Sequence, residues 1–181
     1  SKSTKIIFGG RFKYWKGLHV IFEVIKKLSK INNFEFEFII YSNIPNSHHN
    51  KINQIIVKNG LQANVRIQNL INRNLFHKEV VKSDLFLYPT FYGTADCVML
   101  ESVQLNTPVV CFPSPGAEEL FGKDYIFMTK KFCVDELVTL IVYYKRYLNK
   151  FYIQRNEILH LHNNDNKIKK ILSLYKDLSE K

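Results

Sequence analysis

One acid stands inside an otherwise apolar helical pattern in the run Tyr88 to Cys111, YPTFYGTADCVMLESVQLNTPVVC. Glu101 falls one to two turns after a polar loop, among Cys97, Val98, Met99, Leu100 and Val103. A carboxylate in such company needs a partner, either a ligand hydroxyl or a structural N–H. A helix start offers unpaired N–H groups and the positive end of a dipole, which suit phosphate. An acid nearby suits a ribose diol. Far upstream, GGRFKYWKG holds two glycines, then Arg11 and Lys16, before another helix. Glycines let a backbone pass close to a ligand. A planar guanidinium and a point-charge ammonium together can hold a diphosphate. The competing reading is a solvated loop with ordinary cations. PSPGAEEL at 113–120 is either a plain connection or a wall of the same cleft.

Other chemistries lack support. The glycines form neither G-x-G-x-x-G nor G-x-x-x-x-G-K-[ST], which disfavours dinucleotide dehydrogenases and P-loop kinases. His48 and His49 lie in a polar loop. His160 and His162 alternate on a helix, where i and i+2 do not share a face. Neither pair has a third ligand at a sensible spacing, so no metal is expected. His19 and His77 read as helix surface or boundary residues. Cys97, Cys111 and Cys133 have no C-x-x-C spacing and read as small buried residues of a reducing compartment.

The 181 residues suffice for one domain with a full core. Charged residues at 23% and apolar residues at 46% mark a globular chain. No apolar run reaches the ~20 residues of a membrane span. The chain enters a strand pattern almost at once, without a signal peptide, and reads as one domain of a longer protein. The formal charge of +10 admits a compositional origin, an anionic membrane or ligand, or nucleic acid. The lysines are spread along the chain, which weakens the specific readings.

Strand patterns at about 5–9, 35–41, 64–69, 84–88 and 108–112 alternate with helical patterns, and YIFMT adds a last short strand. The helices fall at about 17–30, around Ile52 to Gly60, from Asn72, and at about 96–105. Asp135 caps a further helix through Tyr147. Two more helices finish the chain, the second with Ile168, Ile171, Leu172, Tyr175 and Leu178 on one face. Nearly continuous apolar strands imply helices on both faces. The fold class is α/β, a Rossmann-like, doubly wound parallel sheet in a single domain.

GGRFKYWKG, FEFIIYS, NVRIQNL and SDLFLYPTFYGTADCVMLESVQLNTPVVCFPSPGAEEL together resemble the carboxyl-terminal, donor-binding half of retaining GT-B glycosyltransferases, family four. The match covers about residues 5–121. The resemblance implies that Arg11 and Lys16 bind the nucleotide diphosphate and stabilise charge on it as it leaves. Glu101 resembles the second acid of the family's Glu-x7-Glu motif, which accepts hydrogen bonds from the ribose. Gly9, Gly10, Thr94, Ala95, Asp96, Cys97 and Val98 complete the implied substrate site. The donor is then a UDP- or GDP-sugar, with no cofactor and no metal. The first acid of the motif would fall at Gly93, and Asp96 replaces a family glycine, with a shifted loop as one way for it to stand in for the missing acid. Asn106 and Ser42 also replace family glycines.

The resemblance further implies an acceptor-binding domain preceding Ser1, on which helices from about 133 would pack. It implies transfer with retention to a polysaccharide, lipopolysaccharide or glycolipid. The expected location is cytoplasmic, with possible peripheral contact at the inner face of the cell membrane, and no nucleic acid partner is expected. The alternatives are a degenerate, non-catalytic nucleotide-binding module and a basic protein for anionic surfaces.

Overall fold

The computed structural model describes residues 3–163 apart from position 94. Five strands form one parallel sheet: β1 (Thr4–Gly9), β2 (Phe36–Tyr41), β3 (Val65–Gln68), β4 (Leu85–Tyr88) and β5 (Val109–Cys111), in the order β3-β2-β1-β4-β5. β1 pairs with β2 from Thr4↔Phe36 to Gly9↔Tyr41, and with β4 through Ile6↔Leu85 and Ile7↔Phe86. Ile6, Ile7, Phe8, Phe38, Ile40, Leu85, Phe86 and Leu87 are all at most 1% exposed. Burial on both faces explains why these strands read as unbroken apolar runs.

The helices are α1 (Leu18–Leu28), α2 (Asn46–Lys58), α3 (Arg73–Val81), α4 (Cys97–Gln104), α5 (Pro115–Phe121), α6 (Val134–Val142) and α7 (Tyr144–Leu161). α1 buries Leu18, Ile21, Phe22, Ile25 and Leu28, the predicted stripe, together with Val20 and Val24. It packs against α6, and Lys27 meets Asp135 at 2.8 Å. α3 and α4 touch each other, and α4 touches α7. Asn72 caps α3 by accepting from the Leu75 N–H, and Ser114 caps α5 by accepting from Ala117.

Four sequence expectations are corrected. His48 and His49 lie within α2 and not in a loop. YIFMT is not a strand; only Met128 bridges Cys111. Its apolar character serves burial, because Phe127 is wholly buried and the Tyr125 hydroxyl accepts the Val109 N–H. The helix expected from Asp135 to Tyr147 breaks at Tyr143 into α6 and α7, and its N-cap is Cys133. The cysteines are not uniformly buried: Cys111 is buried, Cys133 intermediate and Cys97 exposed. The amphipathic pattern at 168–178 lies outside the described residues.

Asn106 adopts φ 63°, the left-handed conformation that lets Asn replace glycine there. Gly17, with φ 76°, sets the bend between the 3-10 turn Tyr14–Lys16 and α1. A Cβ on Gly17 would stand 2.2 Å from the Pro89 carbonyl oxygen, in backbone that cannot give easily. Gly17→Ala is therefore expected to cost about 2 kcal/mol or more. Gly60→Ala, at φ 64° with nothing within 4 Å, should cost only about 1 kcal/mol. Urea denaturation of both variants checks the difference, and equal losses would contradict the close approach at Gly17.

Candidate functional site

The chain leaves β3 at one edge of the sheet and re-enters it beyond β1, so the loops after β1 and β4 diverge at a topological switch point. In open parallel sheets such a point, at the carboxyl ends of the strands, is where ligands bind. A cavity of about 370 Å³ lies here, bordered by Gly9, Gly10, Arg11, Lys16, Asp96, Val98 and Glu101. Thus seven of the residues singled out in the sequence share one hollow. Ala95 and Cys97 do not border it, and Thr94 lies outside the described residues.

Lys16, Asp96 and Glu101 each have a structural reason for their place. Gly9 allows α3 to approach, since a Cβ there would strike the Phe76 ring at 2.2 Å. Lys16 ends the 3-10 turn and is only 8% exposed. Its ammonium donates to the Tyr88 hydroxyl at 2.7 Å and to Asp96 Oδ2 at 2.5 Å. Tyr88 closes the triangle by donating to the same carboxylate oxygen at 3.1 Å. Burial, and then the neighbouring Asp96 carboxylate, push the Tyr88 phenol well above its ordinary pKa, so it stays protonated. A buried ammonium without a counter-ion is costly, and Asp96 supplies one. Asp96 stands at the N-cap of α4, yet its side chain makes no capping bond. Its carboxylate is committed to Lys16.

Glu101 is held from two sides by α3. Arg73 Nη2 reaches Oε1 at 2.6 Å, and His77 Nε2 meets Oε2 at 2.8 Å, donating in the Nε2–H tautomer. His77, read from the sequence as a helix surface or boundary residue, is a half-buried residue of α3, and its contact with Glu101 is what the sequence did not reveal. Each carboxylate oxygen keeps acceptor capacity beyond these bonds. Arg11 is exposed and makes no ion pair among the described residues. The sequence reading missed Leu70, Ile71, Arg73, Phe76 and Tyr88, which also border the cavity. Their one signal was position, since they follow β3 or end β4. Pro115, from PSPGAEEL, borders a different hollow with Trp15, Tyr92 and Gly93.

Gly93 has φ 134°, and a Cβ at this position would meet nothing within 4 Å. An acid would fit there, but only with a backbone conformation that L-residues rarely adopt. Among the described residues no three His, Cys, Asp or Glu side chains cluster as a metal site.

The family described as "Glycosyl transferases group 1" matches residues 3–143. Comparison with curated proteins gives no significant match. Among solved structures, Anabaena HepE in complex with UDP and glucose superposes with a TM-score of 0.77 at 15% identity, over 97% of this chain and 48% of that one. A Staphylococcus aureus TarM variant in complex with fondaparinux, alpha-GlcNAc-glycerol and UDP gives 0.76 at 17%, over 96% of this chain and 35% of that one. A glycosyltransferase from Rickettsia africae gives 0.74 at 20%, over 98% and 48%. The chain thus spans between about a third and half of the length of these proteins, and at such identities the likeness concerns the fold.

An anion entering the cavity meets Lys16 already paired with Asp96. Asp96→Asn should tighten pyrophosphate binding about tenfold by removing the repulsion. It should also lower the stability of the empty protein by about 3 kcal/mol, because Lys16 loses its counter-ion. Calorimetry and thermal unfolding check the two signs, and weaker pyrophosphate binding would contradict the competition.

Proposed function

The chain belongs to the group 1 glycosyltransferases, and on that footing we propose that it is the donor-binding domain of a sugar-transferring enzyme. The ligand is a nucleoside-diphosphate sugar, with UDP or GDP as carrier. One observation carries the reading: Arg11, Lys16 and Glu101 border a single cavity at the sheet's switch point. Two cations face one part of the ligand and a carboxylate the other. That pattern matches a molecule with a diphosphate at one end and a diol at the other.

In the proposed reaction the bond between the sugar's anomeric carbon and the diphosphate oxygen breaks. The nucleoside diphosphate leaves with the bonding electron pair. An acceptor hydroxyl bonds to the same carbon from the same face, so configuration is retained, and its proton passes to the departing phosphate. Arg11 and Lys16 favour the charge that builds on the leaving group. Glu101 accepts from the ribose hydroxyls and fixes the nucleoside. No residue of this chain acts as a base in this scheme, and no metal takes part. The acceptor, a polysaccharide, lipopolysaccharide or glycolipid, would be held by an amino-terminal domain, on which the helices from about 133 would pack. This domain alone should then turn over little. Work on such acceptors fits a cytoplasmic enzyme at the inner face of the membrane. No helix among the described residues is long and apolar enough to cross a membrane.

A second reading, a nucleotide-binding module without transfer, draws on two observations. Gly93 stands where the resemblance places an acid, and Asp96 neutralises Lys16. Sugar transfer by the complete protein would exclude it.

Calorimetry of the 181-residue chain with UDP, GDP and pyrophosphate tests the pocket. Arg11→Ala and Lys16→Ala are each expected to weaken UDP or GDP about tenfold, the loss of one charge-assisted contact. Glu101→Gln should weaken the nucleotide and leave pyrophosphate unchanged. Unaltered affinity in both cation variants would reject the diphosphate position, and equal losses in Glu101→Gln would reject the ribose contact.

A further inference from the structure

The formal charge of the chain is unevenly placed. Residues 1–78 hold thirteen of the 26 Lys and Arg but only three of the sixteen acids, and residues 79–181 hold thirteen of each. The whole net charge of +10 therefore sits in the first 78 residues. The cations are spread, as the sequence shows, but the acids are not. No Asp or Glu occurs before Glu23, and none occurs between Glu37 and Glu79.

These two acid-free stretches meet at a groove of about 480 Å³ between the segment before α1 and α2. Leu18 and Phe22 from α1, with Ile52 and Ile55 from α2, line it. Phe12 and Tyr14 also border it, Phe12 with its ring 4.9 Å from that of His48. Lys13 and Lys51 are exposed members of the same lining and make no ion pair among the described residues. None of the lining residues is acidic. Beside it, Tyr14 is 77% exposed and Trp15 44% exposed, with the Lys13 ammonium 5.8 Å from the Trp15 ring centre.

An apolar trough edged by cations and amphipathic aromatic rings fits one kind of partner better than others. Lysines near an anionic bilayer gain about 1 kcal/mol each. Exposed Trp and Tyr settle at the headgroup level, where one part of the ring is apolar and the other wet. A nucleic acid would satisfy the lysines but leave the trough unfilled. We propose that this face docks the protein on an anionic phospholipid surface, with acyl chains entering the groove and Lys13 and Lys51 meeting headgroup phosphates. The inference is independent of the nucleotide cavity, none of whose charged residues borders the groove.

Vesicle co-sedimentation of the 181-residue chain tests it. Vesicles of phosphatidylcholine mixed with phosphatidylglycerol should bind the protein, and pure phosphatidylcholine should not. Lys13→Glu with Lys51→Glu should cut binding about thirtyfold or more. Tyr14→Ser should cut it severalfold at unchanged charge. Lys130→Glu with Lys131→Glu, two exposed lysines of the charge-balanced part, should matter much less. Circular dichroism confirms that each variant is folded, and Lys13→Gln with Lys51→Gln serves as a milder pair. UDP affinity should stay unchanged in the groove variants, so a failed nucleotide site and a failed lipid site give different results. No binding to anionic vesicles, equal losses in both lysine pairs, no effect of Tyr14→Ser, or tighter binding to RNA than to vesicles overturns the proposal.

Discussion

The contact that everything at the switch point depends on is the ammonium of Lys16 between Tyr88 and Asp96. It joins positions 72 and 80 residues apart in the chain. Three pieces of backbone thereby become one wall: the loop after β1, the end of β4 and the start of α4. The arrangement is demanding, because Lys16 is nearly buried and a buried cation must have a counter-ion. Gly17 is part of the same constraint, since its close approach to Pro89 is what brings the turn carrying Lys16 down onto β4.

The consequence for a ligand is exchange more than attraction. Lys16 has Asp96, and Glu101 has Arg73 and His77. Arg11 is the cation at this cavity that makes no ion pair among the described residues. A bound diphosphate would meet Arg11 without displacing anything, but would share Lys16 with a carboxylate. A bound ribose would add its hydroxyls to a carboxylate already fixed in orientation. Preorganisation of this kind limits the rotamer entropy lost on binding, at the cost of competition inside the empty site.

The sheet was legible because parallel strands buried on both faces leave unbroken apolar runs, as in KIIFG and LFLY. The helix stripes were legible for the same reason at a different period, as in α1. Arg11, Lys16 and Glu101 could be picked out because cations beside glycines, and an acid inside an apolar helix, contradict their local surroundings. Pairings across the sheet were not legible. Nothing in the sequence near His77 points to Glu101, 24 residues away. Asp96 could be singled out as one replacement for a missing acid, but its pairing with the buried Lys16, 80 residues away, could not be read from the sequence. YIFMT was misread because burial of aromatic rings and strand pairing produce the same apolar signature. The charge asymmetry was visible only when acids were followed instead of lysines.

The far end of α4 carries one more feature. Arg155, on α7, donates through Nε to the Val103 carbonyl at 3.0 Å and through Nη2 to the Gln104 carbonyl at 2.9 Å. A guanidinium thus clasps the last turn of α4, where the helix dipole favours positive charge. α4 has only eight residues, so one short helix is held by Arg155 at its last turn and by the Asp96–Lys16 pair at its start. A single element thereby ties α7 to the wall of the cavity.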